Sequence, residues 1–136
     1  MSRPVIVPLG GFLGAGKTTL LLAAARVLQT HGKRAAAVLN DQGEDLVDTQ
    51  LVRAHSMTAD KVAGGCFCCR FSDLVESMDR LREYGPNVIF AEAVGSCTDI
   101  SATTLQPLKR DYGHRFRLSP FSVLVDPARA RELMSP

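Results

Sequence analysis

The segment Gly11–Thr19, which has the sequence GFLGAGKTT, constrains the fold of this chain more than any other feature. It matches the pattern G-x-x-x-x-G-K-[ST] at all four fixed positions. An apolar run, 5–9, precedes it and a helix-favouring run, 20–28, follows it, so the motif has the strand–loop–helix context it needs. Glycines let successive N–H groups point inward at a phosphate, and the helix N-terminus adds partial positive charge. The segment therefore predicts a nucleoside-triphosphate site.

The residues of this loop are expected to have separate roles. We expect Lys17 to reach the β- and γ-phosphate oxygens, Thr18 to offer its hydroxyl to Mg²⁺, and Thr19 to cap the α-phosphate. The remaining predicted nucleotide-binding positions act through the backbone and are Gly11, Gly14, Ala15 and Gly16. The alternative is a glycine-rich strand–helix turn that binds nothing, and the complete match in the right context argues against it.

Composition excludes several classes of protein. The 136 residues fit one domain, and a net charge of +2 from 16 basic and 14 acidic side chains indicates neither nucleic acid nor a membrane as partner. No apolar run approaches the roughly 20 residues that cross a bilayer. The sequence enters a strand directly, without a signal peptide, so we expect a cytoplasmic protein. Cysteines stay reduced there, and the four in this chain indicate metal or catalysis more than disulfides.

Alternating strand-like and helix-like runs predict an α/β protein with a P-loop NTPase fold, in which helices flank a mostly parallel central sheet. The ligand is expected where the loops after residues 9, 39, 63 and 93 converge, at the carboxyl ends of the strands. Pro8 cannot donate a ladder hydrogen bond and is expected at the very end of its strand. The predicted strands are 4–9, 34–39, 61–63, 87–93 and 122–125, and the predicted helices are 17–30, 71–84, 100–112 with a break at Pro107, and one from 127.

A second informative run is GGCFCC at 64–69, with three cysteines in four residues. Cys66, Cys68 and Cys69 are too crowded for mutual disulfides of ordinary geometry, whereas thiolates are good ligands for Zn²⁺ or Cu⁺. The alternative is a set of buried free cysteines that act as small hydrophobic residues. Three ligands leave one tetrahedral position for another side chain, a water or a client protein.

These motifs together carry a resemblance to a known family. GFLGAGKTTLL, then NDQGE at 40–44, GGCFCC, and EAVG at 92–95 resemble the CobW-type metal-chaperone GTPases, relatives of the urease and hydrogenase nickel-delivery GTPases. The resemblance covers nearly the whole chain in the same order. It implies a G domain that hydrolyses GTP and couples the nucleotide state to holding or releasing a divalent metal, with a client metalloprotein as partner.

The resemblance also implies roles for individual residues. Asp41 and Glu44 would lie in the first switch loop, and Glu92 and Gly95 match the E-x-x-G element after the Walker B strand. Glu92, at the end of a buried run, can bind Mg²⁺-coordinated water or orient the attacking water, and Gly95 would donate its N–H to the γ-phosphate. Asp41 is a candidate to position that water. The candidate catalytic residues are thus Asp41, Glu92 and Lys17.

The sequence departs from the family pattern in several places. Leu39 stands where the family usually has an acidic residue, so one commonly proposed metal ligand is missing, and Cys97 is an extra cysteine. Cys97 or Glu44 is the candidate fourth ligand. The guanine-reading loop and the family's C-terminal domain would lie beyond Pro136, so residues 1–136 are expected to be a truncated G domain. The base preference, the metal and the client stay open, as does a homodimer through the open edge of the sheet.

Two other functions remain open from the sequence. An ATP-dependent small-molecule kinase shares the phosphate loop, but it would need an arginine-bearing lid where this chain has three cysteines. A thiolate metal or redox sensor with a vestigial nucleotide site would bind metal irrespective of GTP. GTP with Mg²⁺, and Zn²⁺ or another divalent transition metal, are the expected ligands of the favoured function.

Overall fold

A parallel sheet forms the centre of the computed structural model, which describes residues 3–11, 16–41, 57–93, 100–125 and 127–134, and only the backbone at 41, 129, 130 and 133. The strands are β1 (Val5–Gly10), β2 (Ala35–Asp41), β3 (Thr58–Ala63), β4 (Val88–Glu92), β5 (Arg117–Leu118) and β6 (Ser122–Val123). The helices are α1 (Lys17–Thr30), α2 (Phe71–Arg82), α3 (Gln106–Tyr112) and α4 (Pro127–Met134), and a π-helical turn, Ser101–Leu105, precedes α3.

The strand order is β3-β2-β4-β1-β5, with β6 also paired to β1, and the described pairings are all parallel. The central strands are buried on both faces because successive side chains alternate between two cores. Ala36 and Val38 join the core that contains α2, whereas Ala37 and Leu39 join the core that contains Leu21 of α1. The predicted α/β class, with helices on both faces of a parallel sheet, is confirmed.

The carboxyl ends of the strands lie together at one end of the sheet, as predicted. Glu92 at the end of β4 pairs with Leu9 of β1 on one side and with Leu39 of β2 on the other. Two residues beyond Leu39, Asp41 of β2 pairs with Ala63 of β3. The segments that follow these strands therefore start at the same end of the sheet, with β2 and β4 between the strand before the phosphate loop and the strand before the cysteine run.

Pro8 is not at the end of its strand, and this prediction was wrong. It lies inside β1, opposite Ala91 of β4. Residues in a parallel strand bond alternately to the two neighbours, and the carbonyls of Ile6 and Gly10 accept from Ser119 and Leu124 on the outer side. Position 8 faces that same side, where the edge is interrupted between β5 and β6. The missing N–H of proline therefore falls on the side where β1 pairs only with the two short strands β5 and β6 among the described residues.

The predicted helices are observed with small differences in their ends. Helix α1 has the predicted bounds, and α2 ends at Arg82 rather than at residue 84. The break expected at Pro107 is wrong, because this proline sits in the first turn of α3, where no N–H is needed, and the irregular turn comes before it. Among the residues that the structure describes, no helix has the length and apolar character needed to cross a membrane.

Candidate functional site

The side chain of Lys17 lies at the end of the sheet where β1 and β4 end. It is the first residue of α1, is only 9% exposed, and its Nζ donates to the carbonyls of Gly11 at 2.7 Å and Ala93 at 3.3 Å. Gly11 has φ +134°, and a Cβ there would lie 2.6 Å from the Leu124 carbonyl oxygen, so the backbone passes where only glycine fits. The ammonium group is thus held between the start of the phosphate loop and the end of β4.

Thr18 and Glu92 meet beside this lysine. The Thr18 hydroxyl donates to a carboxylate oxygen of Glu92 at 3.3 Å, and Glu92 is 9% exposed. A hydroxyl and a carboxylate are the oxygen ligands that Mg²⁺ prefers, so the donor set at this point fits that ion. The structure therefore brings together three of the predicted residues: the lysine, the hydroxyl and the buried carboxylate.

The structure describes some of the other predicted site residues fully, one only in its backbone, and the rest not at all. Of Asp41 only the backbone is described, as the last residue of β2. Gly16 precedes α1 with φ +95°, and Thr19 is exposed in the first turn of that helix. The predicted residues outside the described ranges are Gly14, Ala15, Glu44, Gly95 and Cys97.

The three cysteines of the GGCFCC run form one cluster just after β3. The sulfurs of Cys66, Cys68 and Cys69 all lie within 4.8 Å of one another, and the Cys69 sulfur is exposed. Sγ of Cys69 lies 3.4 Å from that of Cys66 and 4.0 Å from that of Cys68. Three thiolates this close match the donor set of a thiolate-rich site for a borderline metal such as Zn²⁺.

Cys66 and Cys68 have the closest pair of sulfurs in this cluster, and their Cα atoms are 5.4 Å apart. The physical reason is a tight turn, in which the N–H groups of Cys69 and Arg70 both donate to the Cys66 carbonyl. This turn brings residues two apart closer than an extended chain would. Metal binding by all three sulfurs requires that this pair is reduced.

Asn40 is a site residue that reasoning from the sequence missed. It is half-buried near the end of β2, where its Nδ2 donates to the carbonyls of Val62 at 3.2 Å and Gly65 at 2.7 Å, and its Oδ1 accepts from the N–H of Phe67 at 2.9 Å. Those partners belong to the end of β3 and to the cysteine run. A polar amide directly after a buried apolar strand is the signal that could have found it.

A polar cluster of Asp60, Ser77 and Arg80 joins β3, which precedes the cysteine run, to α2, which follows it. One carboxylate oxygen of Asp60 accepts from the Ser77 hydroxyl at 2.9 Å and from two Arg80 nitrogens at 3.0 and 2.7 Å. Partial burial alone would raise the pKa of Asp60, but the hydrogen bonds from Arg80, the Lys61 N–H and Ser77 outweigh it, so the pKa is lowered. This cluster fixes the helix that follows the cysteine run against the strand that precedes it.

Comparison with known proteins agrees with these features. The family model "CobW/HypB/UreG, nucleotide-binding domain" matches residues 4–135. The chain is 31% identical over 148 aligned positions to the zinc chaperone YjiA of Escherichia coli (strain K12), covering 99% of this chain and 44% of that protein. It is 36% identical over 95 positions to the zinc chaperone CobW of a Sinorhizobium species, covering 62% of this chain and 26% of that protein.

A third relative is the urease accessory protein UreG of Ureaplasma parvum serovar 3, which is 39% identical over 64 positions, covering 47% of this chain and 31% of that protein. The chain therefore spans less than half the length of each of these relatives. The family match nevertheless extends over almost every residue, including the phosphate loop and the cysteine run. This chain belongs to the CobW/HypB/UreG family of nucleotide-binding domains.

Proposed function

We propose that this protein is a GTP-binding and GTP-hydrolysing metallochaperone that couples its nucleotide state to the binding and transfer of a divalent metal. The observation that carries the proposal is the grouping of three cysteine sulfurs after β3, at the same end of the sheet as the cluster of Lys17, Thr18 and Glu92. The names of two relatives, each called a zinc chaperone, support the choice of metal class.

The nucleotide half of the proposal assigns a task to each residue at the edge. Lys17 exchanges its two carbonyl acceptors for phosphate oxygens, a stronger pairing because both partners are charged. Thr18 and Glu92 would hold Mg²⁺, which neutralises charge on the phosphates when it is bound. Asp41 positions the attacking water, and the Gly95 N–H senses the γ-phosphate. GTP rather than ATP is proposed from the family resemblance, so both nucleotides belong in any test.

The metal half of the proposal treats the metal as cargo. Reduced Cys66, Cys68 and Cys69 supply three thiolate ligands, which suits Zn²⁺ and also accepts Co²⁺. Glu44 or Cys97 supplies the fourth ligand, and each belongs to a segment that the resemblance places in a switch loop. A change at the γ-phosphate would then alter the metal's coordination and release the metal to a client protein.

The test is equilibrium binding of Zn²⁺ and Co²⁺ to the reduced protein with GTP, with GDP and without nucleotide. We expect the metal dissociation constant to differ between the GTP and GDP states by about 5–150-fold, the range of typical coupling free energies. A variant with Lys17 changed to Ala should show one metal affinity in all three conditions, because it no longer responds to nucleotide. Equal affinities in the three conditions for the unmodified protein would contradict the coupling.

A second candidate, a thiolate redox sensor, is favoured by the close approach of the Cys66 and Cys68 sulfurs. In that function oxidation and reduction of the pair would control metal binding, and nucleotide would have no effect on it. The same titration separates the two functions when it is repeated on oxidised protein. Dependence on nucleotide supports the chaperone, and dependence on the redox state alone supports the sensor.

A further inference from the structure

We infer that Asn40 is the positioning residue that holds the metal-binding cysteine run in place and links it to strand β2, an inference that rests on the proposed function. Its side chain donates both amide hydrogens, to the Val62 and Gly65 carbonyls, and accepts from the Phe67 N–H. Gly65 and Phe67 are the two neighbours of Cys66. The amide therefore brackets the first cysteine on both sides through its backbone.

This pattern of contacts needs an asparagine. Two of the contacts require N–H donors and the third requires an acceptor, and the short primary amide carries all of them on one rigid group. A carboxylate of the same size can accept from Phe67 but cannot donate to the two carbonyls. An alanine leaves all three backbone groups without this partner.

The hydrogen bonds from Asn40 act together with the burial of the Phe67 side chain. Phe67 is 1% exposed and belongs to the core that contains α2. Its ring therefore holds the cysteine run through packing, while Asn40 holds the backbone of the run through hydrogen bonds. Held in this way, the turn keeps the Cys66 sulfur 3.4 Å from that of Cys69. Groups that orient metal ligands without touching the metal typically contribute 10–100-fold to metal affinity.

The position of Asn40 on β2 gives the contact a second consequence. The next residue, Asp41, ends the strand, and the resemblance places the first switch loop directly after it. One strand end therefore carries both the residue that leads into the switch loop and the residue that grips the cysteine run. A displacement of this strand end reaches Cys66 through the two hydrogen bonds to Gly65 and Phe67, so Asn40 transmits nucleotide state to the metal ligands.

The test compares Asn40→Ala with a matched control, Asn87→Ala. The side-chain amide of Asn87 also joins neighbouring segments, since its Oδ1 accepts from the Arg34 N–H at 2.8 Å. Asn87 lies at the opposite end of the sheet from Asn40, just before the start of β4. Reduced wild type and both variants are titrated with Co²⁺, with GTP and with GDP, and the thiolate-to-metal absorption band is followed. Nucleotide affinity and thermal unfolding are measured alongside.

For Asn40→Ala we expect Co²⁺ affinity to fall by about 10–100-fold while the band intensity per bound metal stays that of wild type, since the ligands themselves remain. The ratio between the GTP and GDP affinities should approach one. Asn87→Ala should keep wild-type values of both, even where its unfolding temperature falls. In hydrogen exchange of the metal-free protein, the Phe67 amide should exchange faster in Asn40→Ala only.

The inference is overturned if Asn40→Ala matches Asn87→Ala in Co²⁺ affinity and in the GTP to GDP ratio. Should Asn40→Ala not fold, Asn40→Asp takes its place, because it keeps the size of the side chain while it loses the two donors and gains a negative charge, and wild-type values for it overturn the inference equally. If the wild type itself binds no Co²⁺, the proposed metal function fails first and the positioning role falls with it.

Discussion

The Thr18 hydroxyl hydrogen-bonds to Glu92 at 3.3 Å, which joins the first turn of α1 to the end of β4 across 74 residues of sequence. The contact places a phosphate-loop residue directly against the buried carboxylate that is the candidate for handling water. It also means that a ligand which draws Thr18 away from Glu92 changes the surroundings of that carboxylate. Substitutions of Thr18 and of Glu92 are therefore expected to affect nucleotide binding and GTP hydrolysis to different extents.

Glu92→Gln is expected to lower the rate of GTP hydrolysis by about 100-fold with little loss of GTP affinity, since groups that move protons in the transition state contribute about 10²–10⁴-fold. Glutamine keeps the size of the side chain and still accepts from Thr18. Single-turnover hydrolysis and nucleotide binding are measured on the same preparations, with the exposed Glu76→Gln on α2 as control. Equal loss of binding and hydrolysis would contradict a role of Glu92 in acting on the attacking water.

Lys17→Ala is expected to weaken GTP binding by about 100-fold or more, because a hydrogen bond between charged groups contributes about 1.5–3 kcal/mol and this lysine can make more than one. The domain should remain folded by circular dichroism. Lys33→Ala, which changes an exposed lysine beyond α1, is the control and should bind GTP normally. Calorimetric titration provides the measurement, and unchanged affinity in Lys17→Ala would remove the phosphate-loop assignment.

The fourth metal ligand is tested with Cys97→Ser and Glu44→Ala. The intensity of the thiolate-to-Co²⁺ band follows the number of sulfur ligands, so we expect loss of about a quarter of it in Cys97→Ser if that residue is a fourth thiolate. If Glu44 is the ligand, the alanine variant should instead shift the ligand-field bands and leave the thiolate band intact. Wild-type spectra and nucleotide dependence in both variants would place the fourth ligand on water, on a client or in another part of the protein.

Oxidation is expected to abolish high-affinity metal binding, because a disulfide between the neighbouring sulfurs of Cys66 and Cys68 would remove two of the three thiolates. A thiol assay should find two fewer reactive thiols in oxidised than in reduced protein, and a dithiol reductant should restore both the thiols and the Co²⁺ band. Cys69→Ser, which leaves the pair intact, should show the same difference of two thiols. Metal affinity that is equal in oxidised and reduced protein would contradict metal binding by this cluster.

Asp60→Ala is expected to destabilise the protein by about 1–3 kcal/mol, since the fully buried Ser77 hydroxyl loses its partner. The pKa of Asp60 is lowered in the folded state, so the unfolded state binds more protons between that lowered pKa and about pH 4. Stability from this group is therefore present above about pH 4 and is lost as the pH falls further.

Urea unfolding at pH 7 and at pH 3 gives the measurement for Asp60. The difference in stability between wild type and Asp60→Ala should shrink at the lower pH. Asp111→Ala, which removes an exposed partner of Arg110, serves as control and should be nearly neutral at both values. A cost for Asp60→Ala that is the same at both pH values would show that the charge of Asp60 does not contribute.

The sequence predicts the framework of this protein well because the central strands are continuous apolar runs. Val88–Glu92 and the first residues of β2 are short apolar runs between polar or turn residues, which is typical of buried strands, and α1 is a helix-favouring run followed by the stop residues His31 and Gly32. The polarity of Asn40 and Asp41 suggested a loop, yet both continue β2 because their backbones pair with Val62 and Ala63. Tertiary pairing here outweighs local polarity.

Other features depend on contacts that no local pattern encodes. Strand β5 is two residues long and has no apolar alternation, and it exists because the N–H of Arg117 donates to the Pro4 carbonyl at the edge of β1. The close approach of Cys66 and Cys68 depends on a turn that is held by Phe67 and Asn40, and the spacing of the cysteines does not encode it. The predicted meeting of Lys17, Thr18 and Glu92, by contrast, follows from strand order alone, since parallel strands end at one edge.

The burial of Phe67 has a consequence for how the cysteine run can work. Because the residue between the first two cysteines is buried in the core, the run stays attached to the sheet when a metal ion leaves. Transfer of metal to a client is then expected to proceed by exchange of ligands at the surface of this protein, without detachment of the run. The x position of C-x-C-C, which is Phe67, is accordingly expected to favour residues that the core can bury.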